Sequence, residues 1–157
     1  MRFFMQPRVR AAIIGTTLAL AYLCYAYLKR PNLAFSAGDQ WVHFAASYLF
    51  SDGVIPYRDF FFSHAPLQIL LSTFLVKMGA NLIALSILPA VIGGLSGLVL
   101  FHMAQKRMGD VQAVLAVIFF LLSYANIMST LYYAGQELGL FVSLLGMHFF
   151  LSGKKAK

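Results

Sequence analysis

The sequence predicts an all-α integral membrane protein of about four spanning helices, with an interfacial amphipathic helix and a short re-entrant or interfacial helix in its first external loop. Three observations predict it. Of 157 residues, 61% are hydrophobic and only 11% charged, well beyond what a soluble core accommodates. Apolar runs cover residues 11–28, 81–105, 111–128 and 138–152. The basic residues behind the net charge of +7 gather in twos and threes at the ends of those runs, as membrane anchors do, and not along one face as nucleic-acid binding requires.

The run Ala11 to Leu28 follows Arg8 and Arg10 and is closed by Lys29-Arg30-Pro31. It is long for a signal core and lacks an A-x-A-like cleavage site, so it reads as a retained signal-anchor helix. Cys24 stands alone inside it, and this chain therefore builds neither a disulfide framework nor a thiolate metal site.

Residues 29–80 form the external loop, and 32–64 within it is the one sizeable polar segment. Within it, 39–51 reads as an amphipathic helix: at 100° per residue, Asp39, Gln40, His43 and Ser47 share one sector, while Trp41, Val42, Ala45, Tyr48 and Leu49 cover the opposite side. Such a helix floats on the bilayer with Trp41 and Tyr48 at headgroup level and turns Asp39 toward water or a cleft. Asp39 has two readings, an N-cap of this helix or a reactive carboxylate. His43, four residues on, is either an exposed interfacial histidine or, with Asp39, part of a divalent metal site.

Asp52-Gly53 is a helix stop, and Ile55-Pro56-Tyr57-Arg58-Asp59-Phe60-Phe61-Phe62-Ser63-His64-Ala65-Pro66 is a structured loop with prolines near both ends. A guanidinium at Arg58 suits a forked contact to phosphate, with His64 donating to a second oxygen; lipid headgroups or a nearby acid are the alternatives for Arg58. The apolar stretch Pro66–Val76 reaches only about 16 Å as a helix, against a hydrocarbon core of ~30 Å, so it dips into the membrane or lies in its interface.

The run 81–105 is long enough to span and carries Pro89 and a Gly93/Gly97 pair spaced for close helix approach. A polar turn at 106–110, a span over 111–128, a loop over 129–137 and a span over 138–152 follow. His102 and His148 read as packing or interface residues. No ionisable residue sits mid-span, which argues against a small-solute transporter.

Charge sets the orientation. If 66–76 does not cross, Arg2, Arg8, Arg10, Lys106, Arg107, Lys154, Lys155 and Lys157 share one side, against Lys29, Arg30, Arg58 and Lys77 on the other. The first side is then cytoplasmic, with both termini in it.

Taken together, Gly38-Asp39 before an aromatic-rich helix, Asp52-Gly53-Val54-Ile55-Pro56-Tyr57-Arg58-Asp59-Phe60-Phe61, and Ala65-Pro66-Leu67 opening a short apolar helix resemble the first external loop of the polytopic GT-C glycosyltransferases, especially bacterial members similar to aminoarabinose and protein mannosyltransferases. The likeness runs over roughly residues 5–152, through the basic turn at Gln105-Lys106-Arg107-Met108-Gly109 to an acid at the start of the last helix. It implies transfer of a sugar from a polyprenyl-phosphate carrier to an acceptor at the outer face of the cytoplasmic membrane. By the same resemblance Asp39 is the general base or helps bind a divalent metal, and Glu137 is the second catalytic acid. Arg58 and His64 hold the lipid phosphate, with His43, Asp59 and Tyr57 in support. Family members commonly continue through many more spans, so this chain corresponds to the N-terminal part of such a fold, with another membrane chain as a candidate to complete it. The competing reading is a non-catalytic membrane subunit or a lipid-linked-sugar translocase.

Overall fold

The computed structural model describes residues 7–29, 38–64, 66–131 and 135–153. All regular structure among them is helical: α1 Pro7–Lys29, α2 Gly38–Ser51, α3 Pro66–Lys77, α4 Leu82–Met108, α5 Asp110–Leu122, α6 Tyr124–Leu131 and α7 Gln136–Gly153. The all-α expectation holds. One of these helices, α4, is long and apolar enough to cross a membrane.

The central helix is α4, packed by α1, α5, α6 and α7. Asn81 starts it, its side-chain oxygen accepting the Ala84 N–H at 3.0 Å, the satisfaction an N-cap supplies. Its small residues admit neighbours: a Cβ at Gly97 would lie 3.2 Å from Leu121 of α5, and Gly94 faces Tyr22 and Leu23 of α1. Tyr22, Phe101, Ala104, Ala113, Val117 and Leu121 close the core between α1, α4 and α5. A second cluster, Phe44 with Leu85, joins α2 and α4.

The span expected over 111–128 is broken at Ser123. Its extended ψ of 140° ends α5, and its hydroxyl accepts the Asn126 N–H at 3.3 Å, starting α6. The Asn126 amide then donates to the Tyr22 hydroxyl at 2.8 Å. Ser and Asn compete with helical hydrogen bonding through such local bonds, and here they win inside an apolar run. The loop expected from 129 accordingly begins later, since α6 continues to Leu131.

The stop expected at Asp52-Gly53 is present. Gly53 adopts φ 94°, its N–H reaching the Phe50 carbonyl and the Val54 N–H the Leu49 carbonyl, the paired bonds of a Schellman ending. The α2 helix begins at Gly38, which puts the Asp39 backbone inside the first turn and not ahead of it.

The polar sector of α2 faces another helix, while its apolar sector lies outward. His43 and Ser47 are buried, while Trp41, Val42 and Leu49 are exposed. The cause lies in α3, whose Ser72 and Thr73 are also buried and complement that polar sector. Ser72 and Ser47 hydroxyls meet at 2.7 Å, and Thr73 donates to the Ser47 carbonyl at 3.3 Å. On the outside α3 presents Leu67, Leu70 and Phe74. The α2/α3 pair thus buries a polar seam beside apolar contacts of Phe44, Ala46 and Ile69.

Candidate functional site

The loop between α2 and α3 is held by its own backbone. The Ile55 carbonyl accepts the N–H groups of Asp59 at 2.8 Å and Arg58 at 3.3 Å, while an Asp59 carboxylate oxygen accepts the Ile55 N–H at 2.8 Å. Tyr57 takes a left-handed φ of 65°, a conformation that costs a bulky residue on the order of 1 kcal/mol or more. Its hydroxyl donates to the His64 carbonyl, which ties the turn to the far end of the loop. Alternate phenylalanines then anchor it: Phe62 packs with Ala46 and Ile69, Phe60 leans on that cluster, and Phe61 between them is 89% exposed.

Arg58 is engaged by its neighbour. Its Nε donates to Asp59 Oδ1 at 2.7 Å and its Nη2 to Oδ2 at 2.8 Å. The guanidinium hydrogen bonds, with the Ile55 N–H second, hold the Asp59 carboxyl down at about 2, and the same pairing raises Arg58. The guanidinium is 65% exposed and is not among the residues lining the cleft described next. Of the readings open for Arg58, pairing with a nearby acid is the arrangement present.

His64 reaches a different setting. Its ring lies 4.5 Å from that of His43, tilted by 51°, and Phe62 stands edge-on to His43 at 5.5 Å. His43 is 2% exposed, so the exposed interfacial histidine of the sequence reading is a buried one instead, held between α2, the loop and their aromatic contacts. His64 also lines an open cleft of about 280 Å³ with Leu67, Gln68, Gly135, Gln136, Leu138 and Gly139. That cleft joins the end of the first loop to the start of α7.

Glu137 lies behind it, 2% exposed, beside a small cavity shared with Gln68, Leu88, Pro89 and Gly135. The approach is close. Gly135 has φ 80°, a conformation that favours glycine, and a Cβ there would sit 2.1 Å from Gln68 Oε1, so a larger residue strains the backbone and must displace the Gln68 amide. Two residues outside the sequence reading, Gln68 and Gly135, therefore build the wall between His64 and Glu137. The available signal for Gln68 was a lone amide in the otherwise apolar start of 66–76.

The structure thus brings together His43, His64, Tyr57 through the His64 carbonyl, and the Gln136-Glu137 start of α7. It leaves Arg58 and Asp59 as a separate exposed pair. The Asp39 backbone lies in α2, but its side chain is outside the described residues, and with it the Asp39/His43 metal pair. Among the described residues no three or more histidine, cysteine or acidic side chains converge as metal ligands. Chemically, the cleft offers the His64 imidazole and the Gln68 and Gln136 amides, and the Glu137 carboxyl group borders the smaller cavity beyond Gln68 and Gly135.

Comparison with protein-family models finds no match, and neither curated proteins nor solved structures match the chain.

Proposed function

We propose that the chain is a membrane glycosyltransferase, or the N-terminal portion of one, transferring a sugar from a polyprenyl-phosphate donor to an acceptor at the outer face of the cytoplasmic membrane. The observation that carries this reading is the cleft joining His64 to Gln136, with Glu137 buried behind its wall. Residues of the two segments that the GT-C resemblance pairs, more than 70 residues apart, line one cleft there.

Membrane embedding is part of the proposal. α4 crosses, α1 and α7 cross beside it, α5 with α6 completes a fourth passage, and both termini lie in the cytoplasm. The support is the outward apolar surface, Trp41, Leu70, Phe74, Phe119, Phe149 and Phe150 among many, since apolar patches of this extent are rare on water-facing proteins.

In the transfer, the acceptor hydroxyl attacks the anomeric carbon and loses its proton while the glycosyl–phosphate bond breaks. A carboxylate serves as base, with Asp39 first and Glu137 second. His64 donates to the departing lipid phosphate at the cleft mouth. Arg58 takes part through the N–H groups that Asp59 leaves open, with Tyr57 and Asp59 fixing the loop and His43 the His64 ring.

The test is a transfer assay on purified chain with polyprenyl-phosphate sugars. Asp39→Asn is expected to abolish turnover, and normal turnover in that variant refutes the assigned base. The Arg58–Asp59 pairing favours one second reading, a non-catalytic subunit or lipid-linked-sugar translocase, because the forked edge of the guanidinium, Nε and Nη2, is taken by Asp59 and the pair lies outside the cleft lining. Stable copurification with a larger membrane partner, with no activity alone, would select it.

A further inference from the structure

At the opposite end of α4 from Asn81, the last turns of α4 and α7 enclose a groove of about 190 Å³ lined by Met103, Lys106, Arg107, His148, Leu151 and Ser152. It has an apolar floor, Met103 and Leu151, and a cationic rim, Lys106 and Arg107, both exposed. The imidazoles of His102 and His148 face each other across the two helices at 5.4 Å. The one acid close by in sequence, Asp110, is engaged by the Gln105 amide at 2.8 Å.

Two opposing electrostatic effects meet here. Both helices end at this groove, and each carboxyl-terminal end carries about half a negative charge, which disfavours an anion. Two full cations on the rim outweigh that, and the helix-end term is screened at exposed positions. The groove therefore attracts negative charge. It is also continuous with apolar surface, since Met147 and Phe150 of α7 are exposed beside Leu151. A water-soluble anion would gain nothing from Met103, Leu151 and that flank.

We propose that this groove binds one anionic phospholipid, its phosphate on Lys106, Arg107 and the His148 ring and its acyl chain along Met103, Leu151 and Met147. Basic pockets between helices at a membrane surface recognise headgroups in this way. The site is separate from the His64–Glu137 cleft and needs only that the chain lie in a bilayer, so it stands or falls independently of sugar transfer.

Native mass spectrometry of the purified full chain in nonionic detergent tests it, with phosphatidylglycerol and phosphatidylcholine of identical acyl chains as probes. The expected result is retention of phosphatidylglycerol about tenfold or more above phosphatidylcholine, the scale set by two basic side chains. Lys106→Gln with Arg107→Gln should remove that preference, Lys106→Arg should keep it, and Lys77→Gln on α3 should leave it unchanged. Equal retention of the two lipids by the unmodified chain overturns the proposal, and so does equal loss in Lys77→Gln. Displacement of phosphatidylglycerol by an equal concentration of inorganic phosphate also overturns it, assigning the groove to the free anion.

Discussion

The Ser47 hydroxyl lies 2.7 Å from the Ser72 hydroxyl, and that contact fixes which way α2 and α3 face. Each serine oxygen also lies 2.8 Å from the carbonyl one turn back, Ser47 from His43 and Ser72 from Gln68, and with one proton per hydroxyl one serine donates to its partner while the other donates to its own helix. The seam therefore runs from His43 and Gln68, two residues of the candidate site, into the centre of the pair. Loss of the seam would shift both.

Replacing Ser72, which is fully buried, tests this directly. Ser72→Ala should cost about 1 kcal/mol, the net worth of one hydrogen bond, lowering the thermal midpoint in detergent by about 2–4 °C. Ser72→Leu should cost more, about 1–3 kcal/mol from overpacking alone. Fluorescence of Trp41, the single tryptophan, reports the transition from within α2. A higher midpoint for the leucine variant would mean that the apolar faces meet instead.

Gly135→Ala should disrupt the cleft selectively. Its Cβ would collide with Gln68 Oε1 at 2.1 Å, on a backbone at φ 80°. Adding Gln68→Ala removes most of the collision but keeps the backbone strain of about 1 kcal/mol. The double variant should thus regain most of the lost stability without full recovery. Equal stability of Gly135→Ala and the unmodified chain would show that Gln68 turns away at no cost.

How much was legible follows from the same contacts. Helix existence came from apolar runs, and the end of α2 from Asp52-Gly53, because a glycine stop is local chemistry. The break at Ser123 was written locally too, as Ser-x-x-Asn, but inside a run whose hydropathy hid it. Periodicity separated the faces of α2, and it could not show that α3 covers the polar one, since Ser72 and Thr73 meet Ser47 across 25 residues or more of sequence. Tyr57, Arg58 and His64 stood out in one short motif. Gln68 and Gly135 did not, because their importance is a contact between segments 67 residues apart.

The Arg58–Asp59 pair predicts an acid-sensitive loop. Asp59 is held at about 2 when folded, below the ~3.9 of an unfolded aspartate. Its contribution is complete above about pH 4 and fades as pH falls toward 2. Pepsin cleavage within Phe60-Phe61-Phe62, normalised to a reference peptide, should accelerate over that window. Arg58→Gln removes the main cause of the depression, so its cleavage should already be fast at pH 4. Identical profiles for the two proteins would remove the ion pair from the account of loop order.

Phe61 and Phe62 should respond in opposite ways, because the first is 89% exposed and the second 3%. Phe62→Ala empties the cluster with Ala46 and Ile69 and should cost about 3–5 kcal/mol. Phe61→Ala should leave folding within about 0.5 kcal/mol of the original. An exposed aromatic on a rigid loop whose neighbours point inward is placed to rest at a bilayer surface. Phe61→Trp, made in a Trp41→Phe background, should be quenched by lipids brominated near the headgroup and less by lipids brominated at the chain ends. If neither quenches it, the loop stands clear of the bilayer, and a prenyl-phosphate carrier would then have to leave the membrane to reach His64.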